Sequence, residues 1–283
     1  MELVVLSGKG GTGKTTIATA IAELTKNVVK VDCDVDAPNL YLFYKGSNIK
    51  KEYFYGRKKA VINQSLCIKC RKCEEVCRNG AIKSGEINLY KCEGCGTCTL
   101  VCPSNAIKLK DKKSADIFIT KTDKGIISRA EMDIGSNGSG KLITSLRKNA
   151  KRYSDENTLT IIDGSPGIGC PVISSVTNSD ISLIVTEPTR SGMEDFKRVA
   201  ILCKSLGVFM LVCINKFDIN EEISKEIKIY CNEHQMKVVG KIPYDDTVMK
   251  SINELKSIIY YENSVANTAI REMWKNIKNE ISN

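Results

Sequence analysis

Histidine is nearly absent from this chain. One residue in 283, His234, is of that type, and it sits near an expected helix end with no partner in the sequence pattern, so no role is assigned to it. No apolar run approaches the ~20 residues that a membrane helix needs, so a membrane partner is not expected. The first residues read as a strand, without a charged n-region or a cleavage site, so no signal peptide is expected. The expected location is cytoplasmic. No nucleic-acid-binding motif accompanies the net charge of +9, and nucleic acid is not an expected partner. The charge is also confined. Between Gly56 and Lys113 stand 13 Lys and Arg against 5 Asp and Glu, a net +8. Charge balance around metal clusters would account for that excess, as would a docking face for an acidic redox partner.

Cysteine, by contrast, is abundant, with thirteen residues. In a reducing compartment disulfides are disfavoured, so metal is the first expectation. Cys67-x2-Cys70-x2-Cys73-x3-Cys77 is followed by Cys92-x2-Cys95-x2-Cys98-x3-Cys102-Pro103. This is the spacing of a bacterial ferredoxin, twice, in which the fourth cysteine of each run ligates the other cluster. It predicts two [4Fe–4S] clusters, one on Cys67, Cys70, Cys73 and Cys102, the other on Cys92, Cys95, Cys98 and Cys77. Arg78 stands where proline would usually follow the first run. Structural zinc is the alternative, but it would not require eight interleaved cysteines. No Cys-x-x-Cys pair follows Cys102, and residues 103 to 169 hold no cysteine. Cys170 therefore reads as a core residue or a sensor.

Ahead of the cysteines lies the stretch that organises the chain. Gly8-Lys9-Gly10-Gly11-Thr12-Gly13-Lys14-Thr15-Thr16 follows the apolar run Leu3–Leu6 and precedes the helix-like run Ile17–Leu24. Strand, loop and helix form the context in which G-x-x-x-x-G-K-[ST] binds phosphate. Glycines let backbone N–H groups converge on the anion, and the helix points its positive end at it. Lys14 is expected on the β- and γ-phosphates and the Thr15 hydroxyl on Mg2+. Val28–Val31 reads as a second buried strand, ending at Asp32-Cys33-Asp34-Val35-Asp36, where carboxylates face the ligand crevice of an open α/β sheet. Thr158–Asp163 is a strand followed by Gly164-Ser165-Pro166-Gly167. It reads as a Walker B element with Asp163 on Mg2+ and a loop that rearranges when the γ-phosphate leaves. Gly135-Ser136-Asn137-Gly138-Ser139-Gly140-Lys141-Leu142 nearly copies the P-loop. It lacks both the preceding strand and the hydroxyl, so it reads as a loop capping the helix from Lys141 to Tyr153.

With its second lysine, Lys9, the loop resembles the deviant P-loop ATPases of the nitrogenase iron protein, MinD, ParA and Mrp. The likeness extends to Thr186-Glu187-Pro188-Thr189-Arg190-Ser191-Gly192 and covers nearly the whole chain. It implies that Lys9 reaches across a two-fold interface to the partner's nucleotide, in an ATP-sandwiched homodimer or a heterodimer with a similar subunit. It implies that Asp34 positions the attacking water beside the Mg2+ held with Thr15 and Asp163. Asn215, at a strand end, has both donor and acceptor for a base edge and is implied to read adenine. Pro243, Tyr244 and Asp245 are expected to line the base pocket from the backbone.

Alternating strands and helices independently predict an α/β fold, a doubly wound and mostly parallel sheet, interrupted by a small α+β ferredoxin-like domain. The boundaries expected are 1–55 and 114–283 for the ATPase and 56–113 for the insert. The tail from Val265 to Ile281 has apolar residues at helical spacing and a polar face of mixed charge, so it reads as a final helix packed on the sheet. Functionally, the sequence leads to an ATPase coupling nucleotide-driven dimer switching to electron transfer between unknown donor and acceptor proteins. Cofactor assembly, resembling Mrp, and a spatial switch like MinD are the other readings.

Overall fold

The computed structural model describes residues 1–136 and 139–282. Asn137 and Gly138, from the near-copy of the P-loop, and the terminal Asn283 lie outside the described residues. The chain divides into two units, Met1–Lys51 with Ile117–Ala130 and Gly138–Asn283, and Glu52–Asp116 with Glu131–Asn137.

Unit one opens with β1 (Glu2–Ser7), the P-loop, α1 (Lys14–Glu23) and β2 (Val28–Asp32). β3 (Gly46–Tyr55) runs out of it. In unit two, β4 (Lys59–Ile62) and β7 (Ile107–Lys110) pair antiparallel, as do the short β5 (Ile82–Lys83) and β6 (Glu86–Ile87). Between them lie the single turns α2 (Lys72–Glu75) and α3 (Thr97–Leu100). Ala60, Ala81, Ile82, Cys92, Cys98 and Ile107 form its small core. The amide of Gly56 donates to Ser114 Oγ at 3.1 Å, so the two ends of the inserted segment meet.

The chain continues through β8 (Lys113–Thr122), β9 (Gly125–Met132), α4 (Gly140–Lys151), β10 (Leu159–Pro166) and α5 (Cys170–Val176). Then come β11 (Ile181–Thr186), α6 (Arg190–Ser205), β12 (Phe209–Asn215), α7 (Glu221–Glu233), β13 (Lys237–Ile242), α8 (Asp246–Asn253) and α9 (Val265–Ser282). Among the described residues one sheet has the order β13-β12-β11-β1-β10-β2-β9-β8-β3. The pairs from β13 to β9 are parallel, so the mostly parallel, doubly wound sheet is as expected.

Two-sided burial explains why its strands are almost continuously apolar. Leu3 and Val5 face the core formed with Ile17 and Ile21 of α1 and with Ile270, Met273, Trp274 and Ile277 of α9. Val4 and Leu6, alternating with them, are equally buried on the other face, where α5 packs on β10 and α6 on β11. α9 is therefore the packed final helix that its spacing predicted. Among the described residues no helix is long and apolar enough to cross a membrane. Ser139 caps α4, its Oγ accepting from the Leu142 amide at 3.3 Å, which is the helix-capping role read from the Ser-Gly-Lys-Leu run.

Candidate functional site

The C-terminal ends of β1, β2, β10 and β12 bring the expected residues to one edge of the sheet. Asp163 and Asp32 stand in register on neighbouring strands, and Val5 is the register partner of Asp163 on the other side. Ser7 closes the strand by donating to the Lys9 carbonyl at 2.6 Å, and the loop then turns through Gly11 (φ 79°) and Gly13 (φ 92°). Those left-handed conformations favour glycine. A Cβ on Gly13 would also stand 2.5 Å from Asn215 Nδ2, which donates to the Thr12 carbonyl at 2.8 Å. Gly8 is fixed by packing: a Cβ there would overlap Asp195 of α6, with that residue's backbone carbonyl 2.6 Å away.

Lys14 is buried at the start of α1, close enough to Asp34 and Asp163 to oppose the burial that raises the pKa of both. Thr15 Oγ1 donates to Asp163 Oδ2 at 2.6 Å, whereas Asp163 Oδ1 is buried and without a partner. Thr12 Oγ1 is likewise buried and orphaned. A buried acceptor left unsatisfied is costly, and an ion or ligand atom is the natural remedy. Burial pushes the Asp163 carboxyl up to about 6, against the Thr15 hydrogen bond and Lys14, which lower it. Asp32, wholly buried, is raised by desolvation and then by Asp163. Its carboxylate is occupied by the Leu40 amide at 3.1 Å and the Asp34 amide at 3.3 Å, so it ties down the loop that carries Asp34. Asp34 is half-buried, and desolvation raises it while Lys14 lowers it. This donor set fits Mg2+ and a nucleoside triphosphate: a free carboxylate oxygen, a hydroxyl beside it, a buried lysine and a loop of open amides.

Other expected residues are placed as follows. Gly10 and Gly11 have open space where a Cβ would go, and Thr16 lies within α1. Asn215 braces the P-loop through Thr12 while its Oδ1 accepts from the Lys216 amide at 3.1 Å. Pro243 and Tyr244 follow β13, with the Tyr244 amide donating to Asp218 Oδ1 at 2.7 Å. Asp245 serves two helix starts. Its Oδ1 accepts from the Thr247 amide at 2.8 Å, and its Oδ2 from the Ser264 hydroxyl at 2.6 Å and the Ala266 amide at 3.1 Å. Against burial, which raises it, these bonds hold its carboxyl down to about 2. Cys170, at the first position of α5, is exposed rather than core.

Glu187 was not expected at the site. Its Oε1 stands 2.5 Å from Lys9 Nζ and its Oε2 3.4 Å from Lys216 Nζ. Thr189 Oγ1 and Ser191 Oγ take the remaining Lys9 donors at 3.2 and 3.3 Å. The Thr-Glu-Pro-Thr-x-Ser-Gly run contained that signal, because it offers a carboxylate and two hydroxyls within five residues.

The expectation of two [4Fe–4S] clusters is corrected. Among the described residues no group of three or more His, Cys, Asp or Glu side chains is arranged to hold a metal ion. Cys67, Cys70, Cys73 and Cys102 do line one cavity of about 290 Å3. Spacing alone does not make a ligand set, and the eight cysteines stand in unlike surroundings. Cys92 and Cys98 are turned into the small core, Cys70 and Cys95 are exposed, and the sulfurs of Cys77 and Cys102 accept from the amides of Ala81 and Ala106 at 3.3 Å. The iron–sulfur cofactors, the ferredoxin identity of the insert and the electron-transfer role are set aside with the clusters.

Strand, glycine loop and helix, with a carboxylate on the adjacent strand facing the loop's threonine, define a P-loop nucleotide-binding ATPase. The particular family follows from the sequence. The CobQ/CobB/MinD/ParA nucleotide binding domain profile matches residues 3–258, and the chain belongs to that family. Family membership carries the cytoplasmic location expected from the sequence. An uncharacterized protein of Methanocaldococcus jannaschii is 37% identical over 281 residues, spanning 98% of this chain and 96% of that one. The septum site-determining protein MinD of Buchnera aphidicola subsp. Schizaphis graminum is 23% identical over 94% of this chain and 87% of its own length. Among solved structures, the septum site-determining protein MinD complexed with Mg-ADP from Pyrococcus horikoshii shares the fold, with a TM-score of 0.60 at 18% identity over 98% of this chain and 95% of that chain.

Proposed function

We propose that the chain is a MinD/ParA-type ATPase that binds Mg·ATP at the P-loop, hydrolyses it, and switches state as a dimer with a second copy or a similar subunit. The observation that carries this is the Thr15–Asp163 hydrogen bond of 2.6 Å beside the buried Lys14, with one Asp163 oxygen left free. Gly8, Lys9, Gly10, Gly11, Thr12, Gly13 and Lys14 would hold the phosphates, and Thr15, Asp163 and Asp34 the Mg2+. When bound, the ion neutralises charge developing on the phosphate oxygens. Asp34 orients the attacking water, and Lys9 completes the site of the partner subunit. Asn215, with Pro243, Tyr244 and Asp245, is the proposed adenine end, and Asn215 couples the base to the loop through Thr12. Residues 1–55 and 114–283 form the ATPase, and residues 56–113 a separate module. Positioning a partner by nucleotide-dependent assembly is favoured as the output by the septum site-determining relative.

The test is phosphate release from Mg·ATP by the purified chain, with light scattering after size exclusion. The wild type should turn over. Asp34→Ala should bind ATP, hydrolyse it at least tenfold more slowly and accumulate as a dimer. Lys14→Ala should not bind ATP, hydrolyse it or accumulate as a dimer. A wild-type chain that binds no ATP would overturn the reading.

A further inference from the structure

Lys9 has three N–H donors, and each is taken from within its own chain: Glu187 Oε1 at 2.5 Å, Thr189 Oγ1 at 3.2 Å and Ser191 Oγ at 3.3 Å. Lys216 shares the same carboxylate, with Oε2 at 3.4 Å, and approaches the Gly11 carbonyl at 3.5 Å. Both lysines therefore flank the phosphate loop with their charge answered by one internal anion. The arrangement is built, not incidental. Glu187 directly follows β11, its carbonyl would stand 2.4 Å from a Cβ on Gly192, and Thr189 caps α6 by accepting from the Gly192 amide at 2.9 Å. Glu187 is only 15% exposed and Lys9 29%. An ion pair so shielded is screened less by salt than a surface pair. Against burial, which raises it, Lys9 and Lys216 keep the Glu187 carboxyl below the usual range.

A nucleoside triphosphate, in this loop or in that of a dimer partner, offers Lys9 several negative charges. Phosphate and Glu187 carboxylate then compete for one ammonium, which cannot give the same donors to both. We propose that Glu187 is an internal counter-anion that holds Lys9 within its own subunit while the loop is empty, and that nucleotide binding must displace it. Glu187 is thus a positioning residue: it acts through Lys9, sets the nucleotide affinity of the resting protein and keeps Lys9 from engaging phosphate until nucleotide arrives. The inference rests on the proposed binding of ATP at the P-loop.

The experiment is calorimetric titration of the full chain with Mg·ATP and Mg·ADP at fixed ionic strength, for wild type and Glu187→Gln. The variant should bind roughly three- to tenfold more tightly, a modest ion-pair effect. Two controls separate displacement from a change of local field. Glu194→Gln removes one charge from α6 but touches Lys197, not Lys9, and should leave affinity unchanged. In a Lys9→Met background, Glu187→Gln should gain much less, because the two residues act as a coupled pair. Unchanged or weaker binding by Glu187→Gln, an equal gain from Glu194→Gln, or a full gain without Lys9 would each overturn the proposal. Should Glu187→Gln fail to fold, Glu187→Asp, one methylene too short to hold Lys9, is expected to shift affinity in the same direction, and the same controls apply. A wild type that binds neither nucleotide would instead overturn the assignment of the P-loop.

Discussion

Asp163 is held in a state that suits a cation better than an empty site. Its burial without a second partner makes its charged form costly, and the neighbouring Asp32 is raised as well. With a folded pKa of about 6 against 3.8, it binds protons more tightly in the native chain, so stability falls as pH rises from about 4 to 6 and stays at the lower level above. Asp163→Asn keeps an acceptor for Thr15 and removes the charge. It should raise the unfolding free energy of the nucleotide-free chain at pH 8 by about 1–3 kcal/mol, read by urea denaturation, while abolishing Mg·ATP hydrolysis. Lys30 shows the opposite sign. It is buried in β2, donates to the Lys124 carbonyl and lies over the Tyr44 ring at 4.2 Å. Burial lowers its pKa from 10.5 to about 8, against Glu23 and Asp123. Between those values the unfolded chain binds the proton and the folded one does not, so wild-type stability should rise with pH from about 8 to 10.5. Lys30→Met should be the more stable chain at pH 7, by about 1–2 kcal/mol, and should lose that rise. A pH–stability curve identical in the two chains would show that Lys30 is not the group responsible.

The elements that hold the site were readable to different degrees. β1, β2 and β10 showed in the sequence because two-sided burial leaves nearly pure apolar runs, and α1 and α9 because their apolar residues recur at helical spacing. β3 and β9 did not. β3, Asn48-Ile49-Lys50-Lys51-Glu52-Tyr53 within it, is mostly exposed and has no apolar run to mark it. β9 interrupts its apolar run with Ser128 and Arg129, both buried. Arg129 is accommodated by the faces of Tyr41 at 4.3 Å and Phe118 at 4.7 Å, contacts that no periodicity reveals. At the site, Lys14, Thr15 and Asp163 were legible because the motif dictates their chemistry. Glu187 was hidden because its partner lies 178 residues away in sequence. The cysteine spacing was the most explicit signal and misled, since spacing along the chain does not fix the surroundings in which each thiol is set. Two substitutions probe the elements. Gly8→Ala should cost about 1–3 kcal/mol, because α6 cannot retreat from the loop, and should weaken ATP binding with it. Trp274→Ala should cost about 3–5 kcal/mol by emptying the seam between α9 and the sheet. Equilibrium denaturation checks both.

At the scale of the molecule, every residue proposed to touch nucleotide belongs to unit one. The ends of the inserted segment meet at Gly56 and Ser114, so replacing residues 57–113 with a short Gly-Ser linker leaves the sheet's connectivity intact. The shortened chain should bind Mg·ATP within about threefold of wild type by calorimetry. Loss of binding in a folded, shortened chain would show that the module takes part in the site.

The strand order also fixes a timetable. Among the described residues β1 pairs with β10 and β11 alone, so residues 2–7 wait for residues 159–186 to be made. At roughly 5–20 residues per second, this buried, largely apolar strand waits on the order of ten to thirty seconds after emerging from the ribosome. Its unpaired backbone is then an adhesive edge, and holding it apart from other nascent chains becomes a task for the cell's chaperones before the P-loop can exist at all.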